Sequence, residues 1–248
     1  MLYLVSAGPA NGLRIADVDS GRTDRLLPGL SPSGTPAYAI SPDDQEIVVA
    51  ASGPSGKPAL WLAPLDRRSA PHPIPNADGN QPFFGSDGEI LFRKLEGSSG
   101  YLFAIRRDGT GLRKVFPEPV ADLRGISPDR RWLAAQGQGE TGTSMLAVPL
   151  TGGSAMRLPA SRHEWSADGK SWFWEMIVAG VTHVIPLAPG QVWVRNGAGQ
   201  VPIRADELVK LPGVRVIESG DVAPGPTGDI YAFTKTTVQR NLYRIPIP

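Results

Sequence analysis

The chain has 248 residues, 41% hydrophobic and 20% charged, with a formal net charge of +1; this balance is ordinary for a globular protein, and the arginine pairs Arg67-Arg68, Arg106-Arg107 and Arg130-Arg131 are scattered through different repeats and read as solvated turn residues, not the clustered basic face of a nucleic-acid binder. It has no cysteine, which excludes disulfides, thiol catalysis and thiolate metal sites. The 29 glycines and 25 prolines follow no G-X-Y period and read as many tight turns.

Residues 2–6 read as a first strand. They are too short and lack the basic start of a signal peptide, and no apolar run approaches the ~18 residues of a membrane span. The next strand opens at Leu13 (L-R-I-A-D-V-D). Its pattern returns at Leu60 (L-W-L-A-P-L-D), Leu102 (L-F-A-I-R-R-D), Met145 (M-L-A-V-P-L-T), Thr182 (T-H-V-I-P-L-A) and Leu242 (L-Y-R-I-P-I-P). Between the copies stands a turn: Ser41-Pro42-Asp43-Asp44, Gly85-Ser86-Asp87-Gly88, Ser127-Pro128-Asp129-Arg130, Ser166-Ala167-Asp168-Gly169 and Gly225-Pro226-Thr227-Gly228. A period of about 40 residues built from short strands is the signature of propeller blades.

The repeat between Asp122 and Pro159 gives the physical reading of one blade. An inner segment, 123–127, enters a Pro-Asp turn; proline presets φ and aspartate bonds its own downstream backbone. Strand two follows over 132–136, strand three over 145–150, and strand four over 154–158 after a Thr-Gly-Gly turn. Four short antiparallel strands in a meander make a blade. Strand two recurs at 47–51, 90–93, 172–176 and 230–234. The aromatic residues Trp61, Phe84, Trp132, Trp165, Trp172 and Trp174 are expected to pack between neighbouring blades, where large rings bury most area. Pro64, Pro149, Pro186 and Pro246 share one place in strand three, where the missing N–H should end or bulge the pairing.

Gly137-Gln138-Gly139-Glu140-Thr141-Gly142 matches a dinucleotide fingerprint by letter, but a strand and not a helix follows, so it reads as a hairpin loop. Gly169-Lys170-Ser171 lacks the earlier glycine of a phosphate loop, since Glu164 stands there. The three histidines, His72, His163 and His183, have no metal-ligand spacing, and no catalytic residue, metal or cofactor is expected. The stretch before the last turn is longer by about one strand pair. It holds Gln191-Val192-Trp193-Val194-Arg195, then a short helix over 204–211 ended by Pro212-Gly213. In a propeller the leading ends of the inner strands meet one face of the channel. The polar residues expected there are Asn80, Gln81, Asp122, Arg124, Arg162, His163 and Asp221, a default ligand-site hypothesis. Arg124, Arg162 and His163 would make that mouth attractive to small anions or acidic peptide ends.

The repeat resembles the TolB-like propeller repeat of the WD40-like, PD40 type, in which an aromatic residue precedes S-P-D-G and an apolar strand. The resemblance is clearest at Ser41-Pro42-Asp43, Ser127-Pro128-Asp129 and Trp165-Ser166-Ala167-Asp168-Gly169, and it departs at Thr227, where aspartate is replaced. It covers essentially the whole chain. It implies bacterial periplasmic scaffolds, propellers ahead of serine peptidase domains, or sensor modules fused to kinases, without choosing among them.

The expectation is therefore an all-β protein, a single domain over 1–248. It forms a six-bladed β-propeller of four-stranded antiparallel blades, at about 1–30, 31–76, 77–118, 119–160, 161–213 and 214–248, with the first and last blades incomplete. Its expected role is a soluble, non-catalytic binding or scaffolding module, the C-terminal sensor or interaction domain of a larger bacterial protein. A protein or peptide, or a small anion, is the expected partner, with no nucleic acid and no membrane insertion. The alternative is a hydrolase or lactonase with a metal in the channel. Either periplasm or cytoplasm fits. The first blade lacks an innermost strand and the last an outermost one. One upstream segment of roughly 20–30 residues would supply both and remove open strand edges, so the chain reads as part of a longer protein; a native open ring is the alternative.

Overall fold

A computed structural model of the chain describes residues 3–8, 12–17, 19–27, 38–52, 58–139, 142–176, 179–195 and 204–233, and single residues 30, 32, 56 and 201. Six antiparallel sheets form among them, each a meander in chain order. The first holds β1 (Tyr3–Gly8), β2 (Gly12–Asp17) and β3 (Thr23–Arg25). The second holds β4 (Tyr38–Ile40), β5 (Glu46–Ser52), β6 (Pro58–Pro64) and β7 (His72–Pro73). The third is β8 (Asn80–Phe84), β9 (Ile90–Glu96), β10 (Ser99–Ile105) and β11 (Arg113–Lys114). The fourth is β12 (Val120–Ile126), β13 (Trp132–Gly139), β14 (Gly142–Pro149) and β15 (Met156–Arg157). The fifth is β16 (Arg162–Trp165), β17 (Ser171–Met176), β18 (Val181–Pro186) and β19 (Arg215–Ile217); the sixth holds β20 (Val222–Pro224) and β21 (Tyr231–Phe233).

In the second to fifth sheets the second strand is apolar on both faces, because each of these sheets is covered on both sides. Along β5, Ile47, Val49 and Ala51 pack with Leu13, Leu26 and Leu27 of the first sheet, while Val48 and Ala50 pack with Phe84, Phe92 and Ile105 of the third. The third and fourth sheets meet through Leu91, Leu102, Leu123 and Val148. The fourth and fifth meet through Ala134, Met145, Trp165, Trp172 and Trp174, and the fifth and sixth through Phe173, Val184 and Val222. The core is thus a series of layers between sheets. Gly125 on β12 marks how closely they approach, since a Cβ there would overlap the His163 carbonyl oxygen.

The serine-aspartate turn has a hydrogen-bond cause. Ser127 Oγ donates to Asp129 Oδ1 at 2.6 Å and accepts the first strand N–H, that of Trp132, at 3.0 Å. Ser41 and Ser166 do the same with Asp43 and Asp168, and all three serines are buried. The hydroxyl satisfies a backbone donor that the turn would otherwise orphan. The same bonds hold the Asp43 and Asp168 carboxyls below the usual carboxylate range.

Pro64, Pro149 and Pro186 are the last residues of β6, β14 and β18, and pairing runs up to them without a bulge. Gly139 pairs with Gly142, so β13 and β14 are antiparallel neighbours and a strand follows the glycine run. The fifth sheet reaches Ile217, past the boundary drawn at 213. Residues 191–195 form no strand, although the stretch is longer by about one strand pair. Trp193 is instead 1% exposed and driven into the layer between the fourth and fifth sheets, with Leu208 of the one-turn helix α1 (Ala205–Leu208) beside it. Burial of that ring outweighs strand pairing for the segment. The strand copy at Leu242 lies outside the described residues. Among the described residues no helix is long and apolar enough to cross a membrane.

Candidate functional site at the inner strands

Strands β4, β8, β12, β16 and β20 open their sheets, and each touches the next. Bulges re-aim β8 and β12, with register shifts between Asn80 and Phe83, between Val120 and Asp122, and between Leu123 and Gly125. Gln81 and Asp221 take left-handed φ values of 54° there.

Two polar clusters result. In the first, Gln81 is 5% exposed and spans the third and fourth sheets. Its Nε2 donates to Asp122 Oδ1, and its Oε1 accepts the Leu123 N–H at 3.0 Å. Arg124 Nη2 donates to Asp122 Oδ2 at 2.6 Å and reaches Gln136 Oε1 at 3.4 Å. Asn80 is half-buried, with an Oδ1 that has no hydrogen-bond donor among the described residues.

In the second cluster Arg162 sits among three carboxylates. It lies 2.5 Å from Glu164 Oε1, 2.9 Å from Asp221 Oδ1 on the neighbouring sheet, and 3.9 Å from Glu175 Oε2. The Asp221 N–H donates to Glu175 Oε1 at 3.0 Å. Burial works against the charged guanidinium, but Glu164, Asp221 and Glu175 outweigh it and raise the Arg162 pKa. Burial also raises the Glu164 carboxyl pKa, against the pull of Arg162. The Tyr38 phenol on β4 is pushed up to about 12, first by burial and then by the Glu164 charge, with Arg162 opposing.

His163 does not belong to this site. The alternation along Arg162-His163-Glu164-Trp165 turns Arg162 and Glu164 inward and His163 and Trp165 into the layer between sheets. His163 is 0% exposed and stacks on Trp172 with ring centroids 5.5 Å apart. Trp172 Nε1–H donates to its Nδ1 at 3.2 Å, so Nε2 carries the proton and donates to the Pro159 carbonyl at 2.9 Å. Burial lowers its pKa to about 4, against the Pro159 bond, and the ring is neutral at pH 7.

Of the seven residues expected at the channel mouth, Gln81, Asp122 and Arg124 come together, as do Arg162 and Asp221. Asn80 stands beside the first group, and His163 is removed from the site. Sequence reasoning missed Glu164, Glu175 and Tyr38; period-two alternation from Arg162 would have found Glu164. The expected trio of cations is overturned. Two arginines are ion-paired, the histidine is neutral, and Asp122, Glu164, Glu175 and Asp221 outnumber the arginines. Among the described residues no three His, Asp or Glu side chains are arranged to hold a metal ion.

No family model and no curated protein matches the sequence. Solved structures do. TolB from Acinetobacter baumannii superposes with a TM-score of 0.59 at 20% identity, over 76% of this chain and 51% of that one. Nidogen, from its complex with laminin, gives 0.55 at 17% identity over 81% and 80%. A gluconolactonase from Xanthomonas campestris gives 0.57 at 14% identity over 90% and 74%. The fold is a β-propeller, similar to that of TolB. The chain spans about half the length of the Acinetobacter protein. The neighbours' roles, from laminin complex to lactonase, differ as propeller roles do, so the fold assigns none of them.

Proposed function

We propose that the six sheets are the six blades of one ring, acting as a non-catalytic binding platform and serving as an interaction domain of a larger bacterial protein. The observation that supports this is the pairing of its inner-strand charges. Gln81 with Asp122 and Arg162 with Asp221 tie one sheet to the next, and the Arg162 guanidinium fills the centre of the carboxylates. Such groups hold a rigid rim and present a carboxylate excess. The partner is a protein segment that brings lysine, arginine or an amino terminus to that rim, because opposite potentials steer and orient association.

Calorimetry with a lysine- and arginine-rich peptide and an acidic peptide of equal length tests this. The basic peptide should bind, more weakly as salt rises, and Asp221→Asn should lower its affinity several-fold. Equal binding of both peptides, or of neither, overturns the reading. Lactone hydrolysis that depends on an added divalent cation would favour the alternative of a propeller hydrolase with a metal in its channel.

A further inference from the structure

Away from the inner strands, a cavity of about 570 Å³ opens beside the first and second sheets. Buried Leu26 and Leu27, with Leu30 and one part of Trp61, line it on the apolar side. The turn after β6 supplies Arg67, Arg68, Ser69, Ala70 and Pro71. That volume lies within the ~300–1,000 Å³ of small-molecule sites, which are mostly apolar with a few fixed polar groups.

Arg67 carries the inference. It stands in a left-handed conformation, φ 60°, in a turn closed by its N–H to the Pro64 carbonyl at 3.2 Å. The turn after β10 is built the same way, with Gly109 N–H to the Arg106 carbonyl at 2.9 Å, and Asp108 there matches Asp66 here. That position is Gly109 at φ 82° in the third sheet and Gly152 at φ 92° in the fourth. Glycine meets no steric cost in this conformation, and arginine does. Strain kept at one repeat and absent from its siblings points to a use for the side chain. Arg68 pairs with Asp66 at 2.9 Å, and Arg67 has no ion pair among the described residues. The cavity thus joins an apolar wall to two adjacent arginines, of which Arg68 is paired with Asp66 and Arg67 is not.

We propose that this cavity binds a small amphipathic carboxylate, its apolar body against Leu26, Leu27 and Trp61 and its carboxylate on Arg67. Guanidinium matches a carboxylate with two parallel hydrogen bonds. The test is titration calorimetry at pH 7 with octanoate and with its neutral counterpart 1-octanol. Octanoate should saturate one site per chain, and octanol should bind about tenfold more weakly. Arg67→Gly should lose about tenfold in octanoate affinity with a melting temperature at or above that of the parent, because glycine suits the turn. Ala70→Trp, at an exposed lining position, should block the cavity and abolish binding. Absence of saturable octanoate binding, octanol binding equal to octanoate, or unchanged octanoate affinity in either variant overturns the proposal.

Discussion

His163 is uncharged at neutral pH because both ring nitrogens are committed and the ring is closed off from water. Its pKa falls from 6.5 to about 4 on folding. The unfolded chain therefore binds the extra proton first. The stabilisation is complete above about pH 6.5 and is lost as pH falls through that value towards 4, below which it levels. The full loss is roughly 3 kcal/mol. Urea midpoints at pH 7, 5.5 and 4.5 should decline in the parent, and the decline should flatten in His163→Gln whatever that variant's starting stability. An unchanged slope would assign the acid sensitivity to other groups. Asp43 and Asp168 act in a different window, since their depressed carboxyls give up stability only below the ordinary carboxylate pKa. The histidine's place was legible in the four letters Arg-His-Glu-Trp, because adjacent strand residues face opposite ways. Grouping His163 with Arg162 as a second cation ignored that alternation, and the sign of the site followed the error.

Strands and turns were the legible elements, because each rests on bonds a few residues apart. The Ser-x-Asp turns at Ser41, Ser127 and Ser166 are local hydrogen-bond devices and could be read from letters alone. The insertion between β18 and β19 could not. Gln191 to Arg195 has the alternating pattern of a strand, but its fate is set by Trp165, Trp172 and His163, distant in sequence and within 4.8, 5.5 and 6.0 Å of the Trp193 ring by centroid. Trp193 anchors the insertion across the layer between the fourth and fifth sheets, so Trp193→Ala should cost roughly 3–5 kcal/mol. Cleavage by a nonspecific protease should rise first within residues 188–214. A denaturation midpoint near the parent's would mean that the insertion holds without its ring. The polar clusters were half legible for the same reason. Asp122 and Arg124 are near neighbours in sequence, while Arg162 finds Asp221 only after the fifth sheet is built.

At the scale of the molecule, stability is a chain of contacts between adjacent sheets, as in repeat proteins generally. Among the described residues the layers are not equal. Between the fourth and fifth sheets, Trp165, Trp172, Trp174 and Trp193 pack with Met145, Ile185 and Leu208. Between the fifth and sixth, the buried cluster among the described residues is Phe173, Val184 and Val222, with Ile217 and Tyr231 partly buried against it. Ile230 and Phe233 of that last region are 45% and 52% exposed. Its ion pairs to the fifth sheet are surface ones, Arg215 to Asp229 at 3.0 Å and Arg162 to Asp221 at 2.9 Å, beside backbone bonds from the Ala167 and Asp168 N–H groups to the Gly225 and Pro226 carbonyls. Exposed pairs of this kind contribute about 0–1 kcal/mol each and weaken with salt. Local opening follows the layer with the least buried apolar area. Hydrogen exchange should therefore be fastest for β20 and β21, slowest for β13 and β17, and intermediate for β5 and β9. Raising salt should accelerate the sixth sheet and leave β13 unchanged. Uniform protection across all six sheets, or a sixth sheet as slow as the fourth, would mean that the sheets unfold as one cooperative unit and that the unequal layers do not set the order of opening.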